Sequence, residues 1–463
     1  MYIESLEKAV YRNSSSDKIE SSKINIQGAV MNVLKQKKMT QKMQEKFHQF
    51  LEPIERGLSL PEQKHLKSMT RGMLASGSVI VRQISRELDE SISLKKTCKR
   101  LYENLKKEGL SEQLAQNLLQ KQCWHLTKDS LILIDPSDIK KSGSKYMEGL
   151  SRIRDGSTGK RDNGYDLLNI IAYNKEARGY QILPLCSEIY SKKIEIDTKA
   201  NITLDRINDI TVFSNNKGIY VFDRGGDSRI NIGYLSGNEN AYIIRSMGSR
   251  GLIVNDKELN FKQVCKSVKL SYELSGKKKG AKLLCGIKRV KVRLDPYPRK
   301  HPTTTDTWLI VCRHKSAKGK LGGFFYLLCD FLHHHLSLDE IVSKALESYR
   351  LRWKIEELHR QVKQDYGWED MQLLSYVGLK NLNTILWIVI SFMYSLKKII
   401  LPLAEAFPSF LLDKMNNLDI LYGFIYYRLS NLLKKMFSEI SKYKKVKFKN
   451  YYHEQIQLKV NFI

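Results

Sequence analysis

Two apolar runs, SLILID at residues 130–135 and GIYVFD at residues 218–223, decide the fold of this chain. Each run is short, is bounded by turn residues and ends in an aspartate, a pattern typical of a buried strand. Three further runs of this kind are DLLNIIAYN (166–174), GYQILPLCSEI (179–189) and AYIIRS (241–246). A helical stretch at residues 204–214 separates the first three strands from the last two. This alternation predicts an α/β fold around a mixed sheet flanked by helices.

The segments outside this core have different patterns. Between residues 250 and 330, short β-like runs alternate with basic turns, which predicts a β-rich insertion rather than further α/β alternation. After it, SLDEIVSKALESYRLRWKIEELHRQVKQ (337–364) predicts one long helix. Ser337 is the expected N-cap of this helix, with Glu340 completing a capping box. The N-terminal 125 residues and the residues from 380 onward have mostly helical patterns.

The charge of the chain indicates a polyanionic partner. Lys and Arg number 78 against 49 acidic residues, a formal net charge of +29 at pH 7. Such an excess repels itself unless a polyanion neutralises it. Nucleic acid fits this requirement, because each neutralised phosphate releases condensed counterions. An anionic membrane surface is the competing explanation, and a generally basic proteome is the third.

We expect a cytoplasmic protein without a membrane partner. The first 18 residues have no apolar core of the kind that a signal peptide needs. The strongest apolar run, residues 382–396, is shorter than the ~20 residues that span a bilayer and contains polar side chains. The seven cysteines are scattered and form no C-x-x-C pair. They therefore predict a reducing compartment, with neither a zinc ribbon nor a disulfide framework.

Asp135 and Asp223 are the first candidate functional residues. A carboxylate at the C-terminal end of a strand lies at the edge of the sheet where open α/β folds bind ligands. Two such carboxylates on adjacent strands could share a hard cation, because oxygen atoms are the ligands that such cations prefer. The alternative is that these aspartates simply end their strands and cap turns.

The predicted helix at 337–364 carries a polar stripe. Projected at about 100° per residue, five of its side chains lie within about 80° of one another. These residues are Tyr349, Arg352, Glu356, Arg360 and Lys363. A carboxylate flanked by cations and a tyrosine suits a metal-bound phosphate and its neighbours on a DNA strand. Glu357 points about 100° away on the same projection, which selects Glu356. A solvated charged face is the alternative reading.

These residues carry a resemblance to a known family. The pattern Tyr349-x2-Arg352-x3-Glu356-x6-Lys363 is similar to the Y-R-E-K signature of DDE transposases of the bacterial group typified by insertion sequence four. IDPSDIKKSGSKYMEGLSRIRDGSTGKRDNGYDLLNIIAY resembles the family's block around its first catalytic aspartate, and YVFDRGGDSRI followed by AYIIRS resembles the second. The three blocks are in the family order and cover roughly residues 130–380. One departure is Gly225-Gly226-Asp227, where the family often has Glu-Ala-Asp.

The resemblance implies a site, a cofactor and partners. It makes Asp135, Asp223 and Glu356 the catalytic ligands of two Mg²⁺ ions, for which Mn²⁺ can substitute. It implies DNA contacts from Tyr349, Arg352 and Lys363, with Arg245 as a further contact. The polar stripe adds Arg360 to the predicted DNA-binding residues. The expected partner is double-stranded DNA, both the terminal inverted repeats of a transposon and the target. A homodimer in the DNA complex is expected as well, in a bacterial cytoplasm and on the nucleoid when bound.

The resemblance also assigns the segments of the chain. It implies a ribonuclease-H-like core in two parts, residues 128–248 and 335–380, interrupted by the β-rich insertion at 249–334. Residues 1–127 would be a helical DNA-binding region, and residues 381–463 a helical region that could mediate dimerisation. Three functions fit these features: a DNA transposase, a metal-dependent nuclease of the same fold without strand transfer, and a non-catalytic DNA-binding relic.

Overall fold

The computed structural model describes residues 35–155, 158–176, 179–195, 199–276, 279–295, 303–331, 335–399, 403 and 429–438. The chain divides into two units, one of residues 53–394 and one of residues 1–52 together with 395–463. In the smaller unit, residues 35–51 and 429–438 are helical, and Phe47 packs edge-on against Phe437 with ring centroids 5.3 Å apart. Residues 1–34 and most of the predicted C-terminal helical region lie outside the described residues.

The larger unit begins with helices, as the sequence predicts. They are α1 (Leu60–Ser76), α2 (Val81–Leu88), α3 (Leu94–Leu105) and α4 (Leu110–Cys123). Ser59 and Glu62 form a capping box at the start of α1, and Gly77 ends this helix in the left-handed region at φ 61°. A residue without a Cβ adopts that conformation at little cost, so the chain can turn sharply into α2.

The core strands lie where the apolar runs predict them, with one short addition and one correction. The first strand does not end at Asp135 as predicted but continues five residues further, because residues 135–140 stay paired with the neighbouring antiparallel strand. In chain order the core strands are β1 (Leu131–Lys140), β2 (Ser151–Arg154), β3 (Arg161–Glu176), β4 (Gly179–Tyr190), β5 (Ile219–Phe222) and β6 (Ala241–Ser246). Helix α5 (Lys199–Ser214) connects β4 to β5, and α6 (Arg229–Gly237) connects β5 to β6. The addition is β2, whose four residues are too few to give a recognisable pattern.

The sheet is mixed. β3 runs antiparallel to both β1 and β4, whereas β5 is parallel to β1 and β6 is parallel to β5. The strand order in this part is therefore β4-β3-β1-β5-β6. The connection through α6 is long because β5 and β6 are parallel neighbours, which cannot be joined by a tight hairpin. The connection through α5 is long because β3 and β1 lie between β4 and β5 in the sheet.

The β-rich segment predicted at 249–334 continues this sheet. It contains β7 (Gly251–Val254), β8 (Lys257–Asn260), α7 (Phe261–Ser267), β9 (Tyr272–Ser275), β10 (Lys282–Arg293), β11 (Thr304–Lys315) and β12 (Leu321–Asp330). β12 pairs antiparallel with β6, so the order continues as β6-β12-β11-β10-β7-β8, and β9 also pairs with β10. Helix α7 was not predicted, because its seven residues are too few for a helical period to be visible.

Two helices, rather than the predicted single helix, occupy residues 337–366. They are α8 (Leu338–Arg350) and α9 (Trp353–Tyr366), and the predicted capping box of Ser337 and Glu340 is confirmed at the start of α8. The backbone amides on either side of the junction bond to carbonyls three residues back, for example Arg352 to Tyr349 at 3.2 Å and Ile355 to Arg352 at 3.2 Å. Such bonds belong to a tight 3-10 turn, which interrupts the α-helix.

Helix α10 (Tyr376–Ser395) is a buried core helix. It is the one helix in the described ranges that could cross a membrane by length and composition. However, 89% of its most apolar 18-residue stretch is buried inside the structure. It is tied to its surroundings by buried amide donors: Nδ2 of Asn381 donates to the carbonyls of Leu105 and Lys107, each at 2.8 Å. This agrees with the sequence-based prediction that the apolar run is buried in the protein.

One hydrophobic cluster extends under both parts of the sheet. It joins side chains of the core strands to side chains of the β-rich segment, among them Ile132, Leu168, Ile244, Val290, Leu309 and Leu328. Burial of this continuous apolar surface is the main contribution that holds the two parts of the sheet together.

Candidate active site

The two predicted aspartates lie on neighbouring strands. The register places Ile134 of β1 beside Phe222 of β5, and Phe222 beside Ile244 of β6. The next residues along these three parallel strands are Asp135, Asp223 and Arg245. All three therefore lie side by side at the carboxyl-terminal end of the parallel pairing, although β1 itself continues along β3 to Lys140. Open α/β sheets bind their ligands at this end of parallel strands.

Asp135 is largely buried, with 14% of its side chain exposed. Its Oδ1 accepts a hydrogen bond from Nη1 of Arg352 at 3.2 Å, and its Oδ2 lies 3.8 Å from Nδ1 of His359. Burial raises the pKa of Asp135 to about 7, and the nearby charges of Asp223 and Glu356 contribute to the rise while Arg352 opposes it. Burial therefore disfavours the charged form of this carboxyl, and a cation beside it favours that form.

Arg352 joins two of the three carboxylates. One nitrogen of its guanidinium bonds to Asp135 and the other bonds to Glu356. Glu356 lies in the first turn of α9, four residues after Arg352, and 52% of its side chain is exposed. Together, Asp135, Asp223 and Glu356 are called the carboxylate cluster below.

The interruption between α8 and α9 changes which residues share a helix. Tyr349 is in the last turn of α8, whereas Glu356, Arg360 and Lys363 are on α9. Arg352 immediately precedes α9 but keeps helical angles of φ −53° and ψ −34°, so the predicted stripe persists from Arg352 to Lys363. The prediction that Tyr349 belongs to the same helix as the rest of the stripe is wrong. Tyr349 is half-buried and still close enough to Arg352 to interact with it electrostatically.

Arg360 and Lys363 lie farther along α9, about 6 Å and about 10 Å beyond Glu356 measured along the axis. Arg360 is exposed, and Lys363 is half-buried. The Lys363 ammonium pairs with a carboxylate oxygen of Glu369 at 2.8 Å, in the 3-10 turn Trp368–Asp370 that follows α9. The two cations thus extend the positive charge of Arg352 away from the carboxylate cluster.

Arg245 is half-buried at the end of β6. Its guanidinium carbon lies 5.9 Å from the centroid of the Phe325 ring on the neighbouring strand β12. A guanidinium at this distance is attracted by an aromatic ring. The β-rich segment therefore helps to hold a positive charge one strand away from Asp223.

The loop after Asp223 explains the departure at Gly225 and Gly226. Residues Arg224–Gly226 form a 3-10 turn in which the amide of Gly225 donates to Oδ1 of Asp223 at 2.8 Å. A Cβ on Gly226 would lie 2.5 Å from the Phe222 side chain, so this close approach requires glycine. Asp227 then anchors the loop to the end of β6, accepting from Ser246 Oγ at 2.8 Å and from the Met247 amide at 2.7 Å.

Glu357 faces another part of the molecule, as the projection predicts. Its carboxylate pairs with the ammonium of Lys354 at 2.9 Å. That ammonium lies 4.7 Å from the centroid of the Tyr180 ring on β4. Glu357 is therefore a matched control for Glu356, since the two differ in direction but not in chemistry.

Two residues of the site were not found from the sequence. His359 is three residues after Glu356, a spacing that could have identified it, and it is buried beside Asp135. Asn169 is opposite Asp135 on β3 and is completely buried. Nothing in the sequence marks Asn169, because its neighbour is set by the pairing of two strands. Burial lowers the pKa of His359 to about 3, so its ring is neutral near pH 7.

Within the ranges that the structure describes, no group of three or more His, Cys, Asp or Glu side chains could hold a metal ion as it stands. In this conformation Arg352 bonds to two members of the carboxylate cluster. The chain matches no protein-family model. Comparison with curated proteins also finds no match.

Proposed function

We propose that this chain is a DNA transposase in which Asp135, Asp223 and Glu356 hold two magnesium ions. The observation that carries the proposal is the strand register, with Asp135 and Asp223 each one residue past the last parallel pair of β1 and β5. Glu356 is linked to Asp135 through Arg352. Three carboxylates of this kind suit Mg²⁺ or Mn²⁺, which prefer oxygen ligands.

The strand order supports a ribonuclease-H-like core. The antiparallel series β1-β3-β4 is followed by β5 and β6, each parallel to β1, in the order β4-β3-β1-β5-β6. The β-rich segment enters after β6 and α9 follows it, which agrees with the order of parts that the family resemblance implies.

The surroundings of Asp135 favour a bound cation. Burial raises its pKa, which means that the carboxylate lacks the solvation it would have in water. Opposite it, the side-chain oxygen and nitrogen of Asn169 are buried and have no hydrogen-bond partner among the described residues. Buried polar atoms without partners are rare in proteins, and they favour a ligand or its bound water at this position.

The chemistry follows from this arrangement. Two magnesium ions, when bound, would activate a water or a 3′-hydroxyl and stabilise the leaving oxygen of an in-line displacement. Arg352 offers a planar fork that suits a phosphate when it leaves the carboxylates. Tyr349 and Arg245 would contact the DNA on either side, and Arg360 with Lys363 would contact phosphates farther along α9. Cleavage at a transposon end and strand transfer then differ only in the nucleophile.

Substitution of the carboxylate cluster tests the catalytic part of the proposal. We expect Asp135→Asn, Asp223→Asn and Glu356→Gln each to abolish Mg²⁺-dependent cleavage of duplex DNA, because each removes a ligand charge while keeping the shape. DNA binding, measured by fluorescence anisotropy in EDTA, should survive in all three. Glu357→Gln is the matched control and should cleave like the wild type. Full cleavage by any of the three variants would refute the site.

A strand-transfer assay tests the transposition part. A duplex with a free 3′-hydroxyl end is incubated with supercoiled plasmid, the protein and Mg²⁺. Joined products are expected if the chain is a transposase, and these should disappear with Glu356→Gln. Nicked plasmid without joined products would instead indicate a nuclease of the same fold. Binding without either product would indicate a non-catalytic DNA-binding protein.

A further inference from the structure

A line of polar side chains crosses the sheet at the level of Asp135. Asp135 on β1 is directly opposite Asn169 on β3, and Asn169 is directly opposite Ser187 on β4. Directly opposite residues of antiparallel strands point to the same face of the sheet, with Cβ atoms about 5 Å apart. On this face, His359 of α9 lies against Asp135, and Asn383 of α10 bonds to Ser187. The line therefore lies beneath α9 and α10, and its members Asn169 and Ser187 are buried.

Two hydrogen bonds at the far end of this line have a defined direction. Nε1 of Trp368, in the 3-10 turn after α9, donates to Oδ1 of Asn383 at 2.8 Å. Because an indole nitrogen can only donate, the amide oxygen of Asn383 must face it. The amide nitrogen of Asn383 then faces the sheet and donates to Oγ of Ser187 at 3.1 Å and to its carbonyl at 3.0 Å. Since the Ser187 hydroxyl accepts from Asn383, its own proton is left for another acceptor.

The side-chain amide of Asn169 lies between Ser187 and Asp135. Its oxygen and its nitrogen are both buried, and neither has a hydrogen-bond partner among the described residues. The groups on its two sides are complementary, because the hydroxyl has a proton to donate and a charged carboxylate only accepts. On the Asp135 side, Oδ2 lies 3.8 Å from Nδ1 of His359, which is beyond hydrogen-bonding distance. The amide of Asn169 thus has a donor on one side and an acceptor on the other.

We infer that Asn169 is a positioning residue that orients Asp135 for cation binding. With a cation at Asp135, the Ser187 hydroxyl donates to Oδ1 of Asn169, and Nδ2 of Asn169 donates to Oδ2 of Asp135, directly or through one bound water. All the hydrogen bonds then run in one direction along a polar row of five residues: Trp368, Asn383, Ser187, Asn169 and Asp135. Hydrogen bonds in series strengthen one another inside a protein, and a donor that faces a carboxylate favours its charged form. The inference rests on the proposed function, because it assigns a partner to one of the proposed metal ligands.

The polar row acts on the competition for Asp135. Arg352 bonds to Oδ1 of Asp135, so a cation that binds there must replace a guanidinium. A carboxylate that is held by a fixed amide on its other oxygen loses less orientational freedom when the cation binds. Residues that hold metal ligands in this way typically change the metal affinity by about 10- to 100-fold when they are replaced.

The test measures binding of Mn²⁺ to the full chain without DNA, from the electron paramagnetic resonance signal of the free ion. The relevant site is the binding that the wild type shows and Asp135→Asn lacks. Asn169→Leu keeps the approximate shape of the side chain but cannot donate, so it should weaken this binding about tenfold or more. Ser187→Ala should weaken it as well, and Ser187→Thr, which keeps the hydroxyl, should restore it. The Ser187 pair decides the matter even if Asn169→Leu does not fold.

Asn174→Leu is the matched control on the same strand. Asn174 is also buried, but its side chain bonds to Oγ of Ser130 at 2.6 Å and to the carbonyl of His125 at 3.0 Å. Its replacement leaves buried groups without partners, so it should lower the melting temperature and leave the Mn²⁺ affinity unchanged. Asn169→Leu should do the reverse in EDTA, with an equal or higher melting temperature, because its amide has no bond to lose in this conformation. A lower melting temperature together with wild-type Mn²⁺ affinity in Asn169→Leu would mean a purely structural role.

A double variant separates a connected row from two independent contacts. Ser187→Ala combined with Asn169→Leu should weaken Mn²⁺ binding no more than Asn169→Leu alone, because Ser187 acts through Asn169. In cleavage of duplex DNA, Asn169→Leu should need about tenfold more Mg²⁺ for the half-maximal rate and should approach the wild-type rate at saturation. Additive losses in the double variant, or wild-type Mn²⁺ affinity in both single variants, would overturn the inference.

The outcome is separable from that of the proposed function. If Asp135→Asn loses Mn²⁺ binding and cleavage while Asn169→Leu and Ser187→Ala keep both, the polar row is wrong and the catalytic site stands. If the wild type binds no Mn²⁺ that depends on Asp135, the proposed metal site fails and the polar row fails with it.

Discussion

His65 in α1 illustrates how a single buried side chain sets a pH dependence. It is 1% exposed, and neither of its ring nitrogens has a hydrogen-bond partner among the residues the structure describes. Burial, with a smaller contribution from Arg100, lowers its pKa from 6.5 to about 4. The unfolded chain therefore takes up a proton at a pH where the folded chain does not. Stability is lost as the pH falls from about 6.5 towards 4, because protonation favours the unfolded state.

We predict that His65→Leu removes this sensitivity. Between pH 7 and pH 5 the free energy of unfolding of the wild type should fall by about 2 kcal/mol because of His65, since each unit of pKa difference contributes about 1.4 kcal/mol. The variant should lack this loss. Urea unfolding at pH 7, 6 and 5 measures the effect. The exposed His48 provides the control, His48→Leu. An identical pH dependence in the wild type and His65→Leu would contradict the burial argument.

At the scale of elements, the crossing of α1 and α2 depends on one glycine. The Cβ that alanine would add at Gly72 would lie 2.5 Å from the Ile84 side chain and 3.0 Å from the Ile84 carbonyl oxygen. A side-chain atom could move, but the carbonyl belongs to the backbone of α2. The helices would have to separate, which loosens the packing between α1 and α2.

We therefore expect Gly72→Ala to destabilise the protein by about 1 to 3 kcal/mol, the usual range for overpacking a filled core. Gly237→Ala is the control, because Gly237 is also helical and has open space where the Cβ would be. That change should be neutral or should stabilise the protein by up to about 1 kcal/mol. Thermal unfolding of both variants is the measurement. Equal melting temperatures for Gly72→Ala and the wild type would show that α1 and α2 can separate without cost.

At the scale of the whole molecule, the β-rich segment is part of the main sheet. β12 pairs with β6, and one hydrophobic cluster includes residues of both parts of the sheet. Opening the β-rich segment would expose an edge of β6 and the apolar side chains beneath it. Elements that share a core in this way tend to unfold as one cooperative unit.

We predict that the amides of β11 and β5 exchange with the same opening free energy, within about 1 kcal/mol. Native-state hydrogen exchange in low concentrations of denaturant, read by mass spectrometry of peptides from the two strands, measures both. Exchange in β11 at a clearly lower free energy than in β5 would mean that the β-rich segment unfolds separately.

Much of the larger unit could be predicted from the sequence. Alternation of apolar runs and helices indicates α/β structure, and the core strands and the capping box at Ser337 lie where local patterns predict them. These features depend on neighbours a few residues away, so they are encoded locally. Asp135, Asp223 and Glu356 could be singled out for the same reason, from their places at the ends of apolar runs and on a helix, although the strand that contains Asp135 continues to Lys140. Their metal binding and catalysis remain proposals.

Only the tertiary structure decided how these pieces meet. It places Asp135 beside Asp223, lays Asn169 opposite Asp135 and brings Arg352 against a strand more than 200 residues earlier in the chain. It also divides the predicted long helix at Leu351 and continues the sheet through β12. Strand register and helix interruptions depend on which distant surfaces are buried together. A local sequence pattern does not contain information about those distant surfaces. The sequence by itself determined which residues could act, and the fold decided which of them are neighbours.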